Sequence, residues 1–388
     1  MKQLVDKLKE IKFNRNEFSG AFGDIGTDFP LIIAMILAVG LHSGSVLIMF
    51  GLMQIFTALI YRIPMPVQPL KAMAAIVITQ KVSGDVLYGG GLAIGITMFF
   101  LTVTRLIDWI AKVVPKCVVR GIQFGLGIKL SLLALKDYVP SDGIVGYWVA
   151  AISFLLIIFL IGNKKFPPAL FVIFLGVIYA FIFNIDGEDL IKNVGFNLPQ
   201  FNVPAWSDIL AGFVLLTLPQ IPLSLGNSIL ATKQISADLF PERKPLTIRK
   251  ISYTYSIMNL INPFLSGIPT CHGSGGMVGH YTFGGRTGGS VIIYGMLYLI
   301  MGVIFSGGFE NMVHLFPLPV LGVILLFEGI ALMVLIRDIV RSKTELTIAI
   351  LVSLAAGGLP YGFVIGLVVG TLLYYLSKSG LTGFKDEE

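Results

Sequence analysis

Apolar stretches long enough to cross a bilayer recur from Phe18 to Leu376, separated by short turns rich in Gly, Pro or basic residues. A transmembrane helix needs about 20 mostly apolar residues, so fourteen of them would occupy roughly 280 residues and leave about 100 for loops. Only 13% of the 388 residues are charged, against about 25% in soluble domains. A soluble enzyme, a disordered chain and a single-anchor receptor are excluded, and no stretch remains for a separate soluble domain of usual size. The predicted fold class is an all-α polytopic membrane protein.

The runs and the turn residues between them predict spans at Phe18–Leu41, Val46–Tyr61, Leu87–Val114, Val118–Leu135, Val145–Ile161 and Pro168–Phe183. A polar connector, 184–208, follows. The second half then reads Ile209–Thr232, Ile251–Leu265, Val291–Phe305, Leu318–Ile336, Leu346–Ala356 and Tyr361–Leu376, with the last two open to being one re-entrant pair. Two apolar pieces too short to cross alone, Leu70–Thr79 and one ending near Phe283, complete fourteen segments. With the N-terminus inside, only Lys81, Lys136 and Lys192 fall in outer loops. Arg62, Lys71 and Lys129 lie in or at the ends of spans, and the other basic residues are inner, as Lys and Arg bias requires. Both termini (1–17 and 377–388) are then cytoplasmic, in a multi-pass protein of the cell membrane. The net charge of +6 reflects those inner loops and not nucleic-acid binding. No cleavable signal peptide is visible.

Each short piece follows an irregular stretch: Ile63–Pro69 (IPMPVQP) in the first half and Gly267–Gly276 (GIPTCHGSGG) in the second. Pro64 and Pro269 stand 205 positions apart, and each break opens the third element of its half. Matched interruptions of this kind point to a transporter binding site between inverted repeats, here 18–183 and 209–376. Irregular backbone at membrane depth persists only where protein or a water-filled cavity satisfies it.

A helix that starts in mid-membrane leaves amide N–H groups unpaired and a partial positive charge at its end, so two such ends facing one another favour an anion. At the first start, Pro69 loses nothing by lacking an N–H, Gln68 offers a side-chain amide and Lys71 a charge. At the second, Ser274, Gly275 and Gly276 let a ligand approach the backbone, and His272 adds a ring N–H. The competing reading makes these glycines packing residues only, and His272 and Cys271 wall residues. The eighth span carries Gln220, Ser224, Asn227 and Ser228 at helical spacing, either a cavity wall or interhelix hydrogen bonds, the latter more for the two serines.

Asp24 and Asp28 lie four apart on one helical face in the first span, and Glu328 lies in mid-span. Carboxylates in a membrane are costly and usually functional. Asp28 is the leading proton carrier; Glu328 is read equally as a proton carrier or as a satisfied packing residue, and Asp24, near the basic tail, also as a solvated helix end. Two cysteines, Cys117 and Cys271, and four scattered histidines supply neither a disulfide framework nor a metal site. No nucleophile–base set or nucleotide-binding loop is present, so neither an enzyme nor direct ATP drive is indicated, and no cofactor is implied.

At GDIGT (23–27), PMPVQPLK (64–71), LPQIPL (218–223) with Asn227 and Ser228, CHGSGGM (271–277), His280, Tyr281 and FGGR (283–286), the chain resembles the molybdate transporter family, a branch of the sulfate permease superfamily. The resemblance implies a seven-plus-seven inverted repeat, with spans 1–4 and 8–11 as a core domain and 5–7 and 12–14 as a gate domain. It implies molybdate import by secondary transport. Proton symport is the expected coupling, because a dianion entering against an inside-negative potential costs about 2.3 kcal/mol per charge per 100 mV, and sulfate, of the same charge and shape, is the alternative substrate. The C-terminal regulatory domain of typical sulfate permeases is not expected, since about a dozen residues follow the last span. Carboxylates that nucleobase permeases place in the eighth and tenth spans have no counterpart near Gln220 or Ser274, which favours an anion over a base. A passive anion channel is the alternative of another class. Oligomeric state, a homodimer included, is left open.

Overall fold

A computed structural model describes residues 10–107, 109, 113–160, 168–183, 196–304 and 317–379. Most of the expected cytoplasmic tail and N-terminal segment, and residues 184–195 of the connector, lie outside the described residues.

The helices, in chain order, are α1 (Arg15–Gly20), α2 (Ile25–Val39), α3 (Ser43–Tyr61), α4 (Lys71–Gln80), α5 (Gly84–Val103), α6 (Lys116–Leu133), α7 (Gly143–Leu160) and α8 (Pro168–Phe183). The second half has α9 (Trp206–Leu239), α10 (Ile248–Ile261), α11 (Ser274–Thr282), α12 (Gly289–Ile304), α13 (Leu318–Val334), α14 (Lys343–Gly358) and α15 (Gly362–Lys378). Among the described residues, six helices are long and apolar enough to cross a membrane. Their ends follow local chemistry. His42 accepts the Ser45 N–H at the start of α3, Thr247 caps α10 and Ser342 caps α14. Gly40, at φ 65°, closes α2 in the left-handed region.

Several boundaries differ from expectation. The first span is not one rod: α1 ends at Gly20, a turn covers 21–24, and Asp24 stands at the N-cap position of α2. The fourth span stops at Val103, followed by a turn in which Arg105 has φ 64°, and not at Val114. α9 runs from Trp206 to Leu239, beyond both predicted ends. The last two segments are separate helices joined through Tyr361, at φ 55°.

The two irregular stretches form one feature. β1 (Val67–Pro69) and β2 (Thr270–His272) pair antiparallel, with Val67 opposite His272 and Pro69 opposite Thr270. Pro64, Pro66 and Pro69 deny helix to the first stretch and Pro269 to the second. Left-handed Arg62 (φ 58°) and Ser266 (φ 52°) end the elements before them. A two-stranded ribbon exposes both outer edges, which no water in a bilayer would satisfy. Side-chain amides do so here. Gln54 of α3 accepts the Val67 N–H at 2.8 Å and donates to the Val67 carbonyl at 2.7 Å. Asn259 of α10 does the same to Thr270, at 2.9 and 2.7 Å.

Packing sorts the helices into two groups. In one, α3 lies along α12, α5 against α9 and α10, and α2 against α4, with the ribbon between them. In the other, α6 packs on α13 and α14, α14 on α15, and α7 on α8 and α13. The groups meet where α4 touches α6 and where α2 touches α8 and α13.

Candidate functional site

α4 and α11 start at opposite ends of the ribbon, one after each strand. Their starts differ in a way the sequence did not indicate. The first amides of α4 are already taken: Gln220 Oε1 accepts the N–H of Ala72 at 2.9 Å and of Met73 at 3.2 Å. The start of α11 has no side-chain cap, and a Cβ built on Gly275 would meet no atom within 4 Å. One helix end is closed by protein and the other opens into space.

That space is a cavity of about 280 Å3, just below the roughly 300–1,000 Å3 typical of drug-sized ligands. Of the residues singled out for binding, Gln68, Lys71, Gln220, Asn227, His272, Ser274 and Gly275 line it; Pro69 and Gly276 do not. Glu328 and Ser228 also line it. Lys71 Nζ lies 3.4 Å from Glu328 Oε2. The wall from α9 reflects its prolines. Pro219 and Pro222 interrupt the hydrogen-bond ladder, and π-helical stretches at Phe213–Thr217 and Ser224–Leu230 absorb the disruption. The second of these carries Asn227 and Ser228.

Several expected ligand donors are committed to protein. Gln220 caps α4, and its Nε2 donates to Ser224 Oγ at 3.1 Å; Ser224 in turn bonds the Tyr255 hydroxyl at 2.8 Å. Hydrogen bonding to protein thus engages both Ser224 and Gln220, and Gln220 lines the cavity as well. Gln68 Nε2 donates to both oxygens of Asp24, at 2.7 and 2.9 Å. His272 Nε2 bonds Thr254 Oγ1 at 2.7 Å, itself 2.6 Å from the Tyr61 hydroxyl, and His272 Nδ1 has no hydrogen-bond partner among the described residues.

Asp24 is not a solvated helix end. It is 3% exposed, and a Cβ on Gly276 would run into its carboxylate, which places that carboxylate against the first turn of α11. Gly273 is held equally close to Gln68. Here the glycines admit side chains, while Gly275 faces the void. Asp28 is fully buried and lies within hydrogen-bonding reach of Asp24. Its Oδ2 accepts from the Tyr294 hydroxyl at 3.4 Å, and its Oδ1 has no hydrogen-bond partner among the described residues. Tyr294 bonds Tyr298 at 2.9 Å.

A second cavity of about 360 Å3 shares Asn227 with the first and is lined by Lys116 and Arg120 of α6. A third, about 310 Å3, lies on the other side of Glu328, between Phe22, Thr27, Ile157 and Pro168.

Sequence reasoning missed Gln54 and Asn259, Tyr294 and Tyr298, and Glu17. The first two were visible as lone amides in apolar helices, each a few residues before a break. The tyrosines stand four apart on one face of α12. Glu17, 2% exposed, accepts the N–H groups of Arg286, Thr287 and Ser290 at 2.9–3.0 Å and so fixes the start of α12.

Two short helices thus start at a buried antiparallel ribbon, and the open end of one shares a cavity with a lysine. A family model described as "Molybdate transporter of MFS superfamily" matches residues 16–130 and 212–332. Molybdate transporters 1 and 2 of Arabidopsis thaliana are 31% and 32% identical to the chain, each alignment covering 92% of it and 87% of the relative. The chain belongs to the molybdate transporter family, whose matched members are transporters and not enzymes. The transmembrane domain of the cyanobacterial bicarbonate transporter BicA has the same fold, with a TM-score of 0.65 at 18% identity over 92% of this chain and 96% of that one. So does SLC26A9, with a TM-score of 0.70 at 13% identity over 97% and 68%.

Proposed function

We propose that this protein imports molybdate across the cell membrane by proton symport. The oxyanion sits between the open start of α11 and the Lys71 ammonium, bound by backbone N–H groups at Ser274, Gly275 and Gly276, with Asn227 and Ser228 alongside. The observation that carries this reading is the uncapped start of α11 facing a cavity that holds a lysine, in a chain of the molybdate transporter family. A helix N-terminus and a cation suit a tetrahedral dianion. Gln220 and Gln68 build the site: one closes α4, the other ties Asp24 to it.

The fourteen segments divide as 18–183 and 209–376, two inverted repeats, with both termini cytoplasmic. The matched amide caps, Gln54 thirteen residues before Val67 and Asn259 eleven before Thr270, support that symmetry. The ribbon-bearing group is the core that moves against the gate formed by α6–α8 and α13–α15. The cavity lined by Lys116 and Arg120 is the cytoplasmic exit.

Charge supports the coupling. Lys71 shares its surroundings with three carboxylates, Glu328, Asp24 and Asp28. A dianion added to ionised carboxylates in a low-dielectric interior is strongly disfavoured. Protons on Asp24 and Asp28 remove that repulsion, and a shared proton gives Asp28 Oδ1 the partner it lacks. Moving each charge against the membrane potential costs about 2.3 kcal/mol per 100 mV, so about 4.6 for a dianion, and two protons cancel it.

Proteoliposomes with labelled molybdate and an acid exterior test the function. Saturable uptake that collapses with a protonophore is expected; that collapse also excludes a passive channel. Uptake that never saturates, or that survives Lys71→Ala unchanged, contradicts the reading. Unlabelled sulfate in the same assay measures the competing substrate.

A further inference from the structure

The Lys71–Glu328 pair joins the two packing groups. Lys71 opens α4 on the ribbon side, and Glu328 sits in α13 on the other. Their side chains are 33% and 14% exposed, so this is not a solvated surface pair. Both face the cavity into which α11 opens. Glu328 has a second environment within reach, the third cavity behind it, whereas Lys71 has no alternative anion among the described residues that line its own cavity.

From this geometry we propose that Glu328 is an internal competitor for the anion site: it occupies Lys71 in the empty protein and is displaced toward the third cavity when an oxyanion takes the lysine. The proposal rests on the oxyanion-binding reading above and deepens it. Lys71 cannot pair fully with a gate carboxylate and a substrate dianion at once, because both approach the same ammonium. The dianion wins through its greater charge and the added donors at the start of α11. Loss of the pair removes an ionic contact between the groups, so binding and release of the core from the gate become one event. In this account Glu328 is a positioning residue and carries no transported proton.

The test uses the full-length protein in nanodiscs and labelled molybdate binding at fixed pH. Glu328→Gln keeps the size of the side chain and removes its charge. Its Kd is expected to fall at least fivefold below that of the unsubstituted protein, a direction that loss of a merely structural contact does not produce. An unchanged or raised Kd overturns the proposal. Spin labels at exposed Lys81 and Lys136, one on each group, give an independent readout. Saturating molybdate is expected to shift their separation in the otherwise unsubstituted protein, and no shift overturns the proposal even if Glu328→Gln does not fold. An unsubstituted protein that binds no oxyanion fails the functional reading itself, which is distinct from one that binds normally while Glu328→Gln changes nothing.

Discussion

Adjacent glycines at the start of α11 have opposite surroundings, and this is where single substitutions discriminate best. Gly275 faces open space, so Gly275→Ala stabilises the helix by about 1 kcal/mol yet places a methyl group where the ligand belongs. The expected result is an unchanged or higher unfolding temperature with molybdate binding weakened about tenfold. Gly276 lies against the Asp24 carboxylate, so Gly276→Ala should lower the unfolding temperature as well, because a fixed partner must move. Asp24→Asn keeps an acceptor for Gln68 and removes the titrating group. It should retain molybdate exchange between equal concentrations and lose accumulation driven by a pH gradient, as vesicle counterflow and uptake assays would read. Lys71, Gln68 and Ser274 were legible in the sequence because prolines and glycines beside them mark a break. The work of Gln220 was not: it bonds backbone 148 residues away, and no local pattern announces a partner so distant.

Among the elements, the ribbon depends on two side chains outside it. Gln54→Leu leaves the Val67 N–H and carbonyl buried without partners, at about 1–3 kcal/mol each. Denaturant unfolding in detergent should therefore show a loss on the order of 2–6 kcal/mol, and Asn259→Leu should match it if the two caps are equivalent. Glu17→Ala exposes the start of α12 in the same way, since three N–H groups lose their acceptor. The half-helices were legible because proline and glycine dictate them physically. The turn at 21–24 was not, because its sequence, Ala-Phe-Gly-Asp, holds no proline and continues an apolar run. The extension of α9 to 34 residues was hidden because its last turns, Lys233 to Leu239, are polar and read as a loop once the apolar run ends.

The described residues form two helix groups with the Lys71–Glu328 cavity lined by both, and the proposed coupling follows from the charge there. Acid outside should raise the uptake rate and final accumulation, and raising external pH should lower both, because protons must load the carboxylates before a dianion can enter. Apolar runs and basic loops made the membrane fold legible from end to end. The division into groups was not readable from the residues alone, since it is a matter of which helices touch, and it entered only through resemblance. The central claim is the location of the anion. A crystal or cryo-electron microscopy map of the protein with tungstate, a heavy tetrahedral analogue of molybdate, tests it most directly. The account predicts the metal's density in the cavity between Lys71 and Gly275, at the start of α11; density confined to other surfaces, with that cavity empty at saturating tungstate, would contradict it.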